Sequence, residues 1–332
     1  MKKLAFALLL AAAVVLTSCS SGKMLERDVF AMDTFMTLRV YGDDKSLLDA
    51  AENEIVRLES LFSATRESDI SRLNSEGSAE VSPETAELVA GALEYCELTG
   101  GALDISVYPL VSLWGFTTGN YQIPDSGEIS ERLELVDYTK IKVNGSRITL
   151  GEGMSIDLGA VAKGYTGDRL CELLRQGGVT SAVLNLGGNV QTIGSKPDGS
   201  DWRVAIKDPF KPDENLLIVG VSDSAVITSG DYERYFVGDD GKRYCHIIDP
   251  STGRPADSGI ASITIIGKNG LKCDSLSTAL FVSGAERAIS LWRESEDFEM
   301  VIVTTDKKIL ITDGVDVLSD LSGLDAEVIS RE

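Results

Sequence analysis

Residues 141–189 read IKVNGSRITLGEGMSIDLGAVAKGYTGDRLCELLRQGGVTSAVLNLGGN. Ile141-to-Val143 and Arg147-to-Leu150 flank Asn144-Gly145, a dipeptide that accepts the positive φ of a tight hairpin turn. From about Val161 to Gln176 the pattern is helical, and Gly177-Gly178 stops it. Ser181-to-Leu186 is a strand ending in Gly187-Gly188-Asn189. A hairpin, a helix and a strand in succession predict an α+β fold with largely antiparallel sheets and packed helices, rather than a βαβ repeat.

The same alternation extends in both directions. Upstream, Val29-to-Tyr41 reads as a strand, and Leu47, Leu48, Ala51, Ile55, Leu58 and Leu61 recur at helical spacing. Ser82-Pro83 supplies an N-cap and first helical residue, and Gly100-Gly101 closes that helix. Ala102 to Val107 reads as a short strand, and 115–135 as a polar loop with a short helix. Downstream, strands are expected at Trp202-to-Lys207, Leu216-to-Val221 and Ser262-to-Ile266. Helices follow near Asp274-to-Val282 and Glu286-to-Glu294, then a last hairpin of Met300-to-Thr304 and Lys308-to-Thr312. No linker divides the chain.

The N-terminus reads as an export signal. Lys2 and Lys3 precede an unbroken apolar run from Leu4 to Leu16, shorter than the roughly 20 residues that span a bilayer. Leu16-Thr17-Ser18-Cys19 resembles a lipoprotein box, in which the cysteine thiol takes diacylglycerol. Residues 1–18 are thus expected to be a signal peptide and 19–25 a lipid-anchored tether. The protein would sit on the outer face of the plasma membrane or the periplasmic side of an envelope membrane. The whole chain carries 31 basic and 52 acidic residues. That excess disfavours nucleic acid as partner, and any anionic ligand would need a local cation, a helix N-terminus or a metal. Cys96, Cys171, Cys245 and Cys273 show no CxxC spacing, and buried free thiols are expected over pairing.

Five polar, glycine-rich segments adjoin apolar strands. Asp157-Leu158-Gly159-Ala160-Val161-Ala162-Lys163-Gly164 is a strand-to-helix junction that could receive phosphate on free N–H groups, with Lys163 adding charge. An N-capping Asp157 and a solvated Lys163 explain it equally. Leu186-Gly187-Gly188-Asn189 and Thr228-Ser229-Gly230-Asp231-Tyr232 each read as a close-approach loop or as a plain turn. His246-Ile247-Ile248-Asp249-Pro250 holds the only histidine, a general base or a structural group. In Asp274-Ser275-Leu276-Ser277-Thr278 a carboxylate and a hydroxyl share a helix face and suit Mg²⁺; a capping Asp and a core Thr are the alternative.

In this order, with Met32-Asp33-Thr34 and Gly101-Ala102-Leu103-Asp104-Ile105-Ser106, the segments resemble the ApbE family of FAD:protein FMN transferases. Ser63, Ser68, Ile70, Asn74 and Arg234 extend the resemblance over nearly the whole chain after the signal. It implies a T-fold-like ApbE domain over 26–332 with FAD in a central cleft. It further implies transfer of FMN from FAD to a Thr or Ser hydroxyl of an exported or membrane flavoprotein, a subunit of a membrane redox complex, with AMP leaving. Carried over by position, Mg²⁺ would be held by Asp274, Thr278 and the Ala160 carbonyl, with Ser277 near. FAD would meet Met32, Thr65, Ala102, Leu103, Asp104, Asp157, Lys163 and Ile248. His246 would be the base; Asp249 would orient it or serve a turn. Thr65 departs from the many family members that carry an aromatic residue lining the FAD site there. That departure raises FAD hydrolysis to FMN and AMP as an alternative activity, beside a non-catalytic flavin-binding lipoprotein.

Overall fold

The structure is a computed structural model describing residues 23–331. The expected signal peptide and Cys19 lie outside the described residues.

Nine strands form one sheet: β1 (Met24–Ala31), β2 (Thr34–Tyr41), β3 (Ala182–Leu186), β4 (Asn189–Ile193), β5 (Ala225–Gly230), β6 (Ile260–Gly267), β7 (Phe298–Thr304), β8 (Ile309–Thr312) and β9 (Ala326–Ile329). Their spatial order is their chain order, and every pairing is antiparallel except β8 with β9. The expected α+β class with largely antiparallel sheet is therefore what forms. Six helices fill the β2–β3 connection: α1 (Ser46–Phe62), α2 (Asp69–Glu76), α3 (Pro83–Leu98), α4 (Tyr108–Leu113), α5 (Ser126–Leu133) and α6 (Ala162–Gln176). Between β6 and β7 lie α7 (Gly270–Ser283) and α8 (Ala285–Glu294).

Strand alternation sends apolar side chains to both faces of the sheet. On one face Val29, Met36, Leu38 and Leu184 pack with α1 and α6, while Ile227, Ile263, Ile265 and Ile302 pack with α7 and α8. On the other, Val226, Val301 and Ile311 are covered by the hairpin of strands 202–208 and 211–221. Cys96, Cys171, Cys245 and Cys273 are buried and free, and burial pushes the Cys96 and Cys171 thiols up to about 12. No helix among the described residues is long and apolar enough to cross a membrane.

Three local readings change. Val29-to-Tyr41 is two strands, because Met32 and Asp33 turn the chain at φ 49° and 58°. This is a primed two-residue hairpin built without glycine, so it carries no turn signal. Ala102 to Val107 is no strand: the Asp104 carboxylate accepts from Ser106 N–H at 2.8 Å and starts a 3₁₀ turn over Ile105–Val107. A ninth strand, β9, pairs in parallel beyond the expected last hairpin. The expected Ser82 cap is in place, with Ser82 Oγ accepting from Thr85 N–H at 3.2 Å, and so is the hairpin, but its two turn residues are Gly145, at φ 59°, and Ser146, while Asn144 pairs with Arg147.

Candidate functional site

Register gathers three of the sequence motifs at one end of the sheet. Met36 pairs with Leu186, Asn185 with Val190, and Val190 with Val226. The turns Met32-Asp33 and Gly187-Gly188 and the end of β5 at Ser229-Gly230 consequently share that end. Glycine is required at 187: its φ is 68°, and a Cβ would meet Thr34 Oγ1 at 2.3 Å.

Behind this end α6 and α7 are clamped together. Gly164 N–H donates to Asp274 Oδ2 at 2.8 Å. A Cβ on Gly164 would lie 2.2 Å from the Gly270 carbonyl oxygen, so only glycine permits the approach. Gln191 of β4 donates from Nε2 to the Gly164 carbonyl at 2.9 Å. Asp168 of α6 accepts from Gly270 and Leu271 N–H at 2.7 and 2.9 Å, capping α7 from outside. Burial outweighs those bonds and pushes Asp168 up to about 6.

The clamp sets Asp274 among hydroxyls. Ser277 Oγ lies 2.9 Å from Ser229 Oγ, and Thr278 Oγ1 lies 3.5 Å from it. Asp274 and Ser277 are buried and Thr278 is half-buried. Asp274 is mid-helix; Asn269 caps α7 through Lys272 N–H, so the capping alternative for Asp274 falls. Burial raises the Asp274 pKa; Lys163, Gly164 N–H and the Asn189 amide draw it back. Among the described residues the carboxylate has no ion pair within 4.0 Å. The Asn189 Nδ2 beside it is buried without a hydrogen bond of ordinary geometry. A buried carboxylate without a cation is costly.

Lys163, in the first turn of α6, supplies positive field to this region. Its charge lowers the pKa of Asp157, Glu233, His246 and Asp274. Burial raises the three carboxyls against it. Asp157 Oδ1 accepts from Gly159 N–H at 2.6 Å; α6 begins after Val161 without a side-chain cap. Asp157 therefore holds the junction loop and does not cap the helix.

His246 is oriented by main chain. Its Nδ1 sits 3.1 Å from the Arg234 carbonyl oxygen, which can only accept. Nδ1 therefore carries the proton and Nε2 the lone pair. Burial, then the Arg234 and Lys163 charges, push His246 down to about 4, so it is neutral near pH 7. Asp249 accepts from Ser251 N–H and Oγ and from Thr252 Oγ1, which makes it a turn residue rather than the partner of His246.

The other expected FAD residues spread along the rim and into the core. Met32 is half-buried, donating its N–H to Glu59 Oε1 at 3.0 Å, and Thr65 is exposed on the loop after α1. Ala102 is half-buried, and Leu103 and Ile248 are buried in core clusters. Asp104 is buried, accepting from Ser106 N–H and Oγ and from Tyr138 N–H. Ala160 is half-buried beside the start of α6. Sequence reasoning assigned no site role to Glu233, Gln191 and Asp168. Arg234, Ser229 and Asn189 lay inside quoted motifs, whereas nothing local marks the other three.

A buried carboxylate, clustered hydroxyls, a nearby lysine charge and a neutral imidazole are groups suited to a phosphate-bearing ligand. The ApbE family profile matches residues 32–302. An FAD:protein FMN transferase of Klebsiella pneumoniae is 32% identical over 88% of this chain and 93% of its own. One of Treponema pallidum is 32% identical over 87% of each. The crystal structure of the Thermotoga maritima ApbE protein superposes with TM-score 0.82 at 33% identity, covering 88% of this chain and 97% of that one. Apo Pseudomonas stutzeri flavinyl transferase ApbE gives 0.78 at 29% identity, covering 92% and 98%. The chain belongs to the ApbE family.

Proposed function

We propose that this chain transfers the FMN half of FAD to a protein hydroxyl and releases AMP. Family membership supports the reaction. The single structural observation that carries it is the Asp274 carboxylate, buried without an ion pair on the helix that carries Ser277 and Thr278, whose hydroxyls meet Ser229.

Those donors fit Mg²⁺. They are oxygen atoms, one of them charged, and the buried charge is uncompensated. Asp274 and Thr278, with the Ala160 carbonyl and Ser277 near, would hold the ion. When bound it would offset charge on the pyrophosphate oxygens.

The chain's own residues supply the rest. Lys163 and Arg234 hold the anionic pyrophosphate. His246 accepts the acceptor's proton at Nε2. The acceptor oxygen bonds to the FMN phosphorus while the bond from that phosphorus to the oxygen bridging to AMP breaks. AMP departs with that oxygen. Phosphate charge beside Lys163 and Arg234 would lift His246 from about 4 toward the range where it accepts a proton readily.

The acceptor we propose is an exported or membrane flavoprotein subunit of a redox complex. Residues 1–18 serve as signal and Cys19 carries the lipid, holding the site outside the cytoplasm. FAD hydrolysis is the second reading, favoured by the exposed Thr65 hydroxyl where many family members have an aromatic ring. Flavin fluorescence retained by the acceptor on a denaturing gel tests transfer; fluorescence lost on denaturation contradicts it.

A further inference from the structure

The end of the sheet that carries the site also carries an uncovered aromatic pair. Phe30 and Phe35 are directly paired across β1 and β2. Their rings meet edge-to-face with centroids 5.0 Å apart, and they are 61% and 78% exposed. Both face away from α1 and α6, opposite Val29, Ala31 and Met36. The 202–221 hairpin covers that face further along the sheet and leaves this corner bare.

The corner is continuous with the site. The turn Met32-Asp33 joins the two strands, and Arg66 fixes it by pairing with Asp33 at 3.1 Å and Glu59 at 2.8 Å. Thr34 packs against Gly187, and a Cβ on Gly188 would lie 3.7 Å from Glu233 Oε1. Ser229, at the same end of the sheet, reaches Ser277 on the helix of Asp274 at 2.9 Å. One rim thus runs from the aromatic pair to the carboxylate.

We propose that Phe30 and Phe35 dock the folded acceptor protein, an apolar patch of which flanks the hydroxyl to be modified. This rests on the transfer reading above, since a transferase must seat a protein at the mouth of its site. A rigid aromatic pair gives contact area at small entropic cost. The chain's own tether is a poor occupant. Met24 begins β1 at the opposite end, about 20 Å from Phe30 at strand rise. β1 takes residues 24 and 25 out of the expected 19–25 tether, and the remaining 19–23 reach at most about 18 Å.

The test uses the full chain with Phe30→Ser and Phe35→Ser together, and Val328→Ser as control. Val328 is 59% exposed on β9, the far edge of the sheet. The probes are a folded acceptor flavoprotein domain, and the segment around its modified hydroxyl as a free peptide. We expect KM for the folded domain to rise about tenfold or more in the double variant, with kcat, FAD affinity and peptide transfer unchanged, and the control to match the natural chain. An unchanged KM for the folded domain overturns the docking surface while the transfer reading stands. An equal loss on domain and peptide also overturns it, because the pair would then serve the site and not docking. Absence of transfer by the natural chain overturns the transfer reading and the surface with it. If deleting residues 1–23 lowers KM as far as the serines raise it, the occupant is the tether and the proposal fails.

Discussion

Gly164 N–H donates to Asp274 Oδ2 at 2.8 Å, tying the start of α6 to the second turn of α7. The bond exists because Gly164 brings no Cβ against the Gly270 carbonyl. Gly164→Ala forces the helices apart. Overpacking of this kind typically costs about 1–3 kcal/mol, and here the obstacle is backbone, which puts the cost at the upper end. Thermal unfolding should show that loss, and Mg²⁺ titration should show weakened binding because the displaced carboxylate no longer faces Thr278.

Asp274→Asn separates charge from geometry. The amide oxygen can still accept from Gly164 N–H, while the buried uncompensated charge disappears. Without metal the variant should unfold at the same temperature as the natural chain or higher. The rise in Tm that Mg²⁺ gives the natural chain should vanish, and turnover with it. A Tm rise of equal size in the variant would remove Asp274 from the metal site.

His246→Ala should lower kcat by about 10²- to 10⁴-fold, the usual contribution of a positioned base, and leave FAD and Mg²⁺ affinity intact. The natural chain needs Nε2 unprotonated. Its kcat/KM should fall as pH drops toward about 4, and His246 adds no dependence between pH 6 and 8. Transferase rate equal to the natural chain's in the alanine variant rules out the base.

Asp168 gives a stability signature of the opposite kind to a salt-bridged carboxylate. Its folded pKa, about 6, lies above the ordinary carboxylate value. The folded state therefore binds the proton more tightly, and its contribution is present at low pH and lost as pH rises from about 4 to 6. The loss is on the order of 3 kcal/mol. The Tm of Asp168→Asn relative to the natural chain should climb across that window and level off above it.

The sequence made the class of fold legible through local signals: Asn144-Gly145, the Ser82-Pro83 cap and the 3.6-residue spacing of α1 all act within a few residues. It also exposed the motif residues Asp157, Lys163, His246 and Asp274, because glycines and polar groups beside apolar strands stand out. It concealed what depends on distant backbone. The Met32-Asp33 turn uses left-handed residues that are not glycine. The β9 strand finds a parallel partner only in the finished sheet. Asp168, Gln191 and Glu233 gain their places only when α6, α7 and β4 meet. Residues 102–107 depart from a strand for a local reason: the bond from Asp104 to Ser106 competes with the strand its neighbours favour.

The central claim is that FMN passes from FAD to protein at the Asp274–His246 site. The most direct measurement incubates the chain with FAD and Mg²⁺, with and without acceptor flavoprotein, counting AMP released against flavin bound covalently. AMP should appear only when acceptor is present, one AMP for each FMN attached, and neither product should form with Asp274→Asn. AMP released at the same rate without acceptor would contradict it and make the protein a hydrolase.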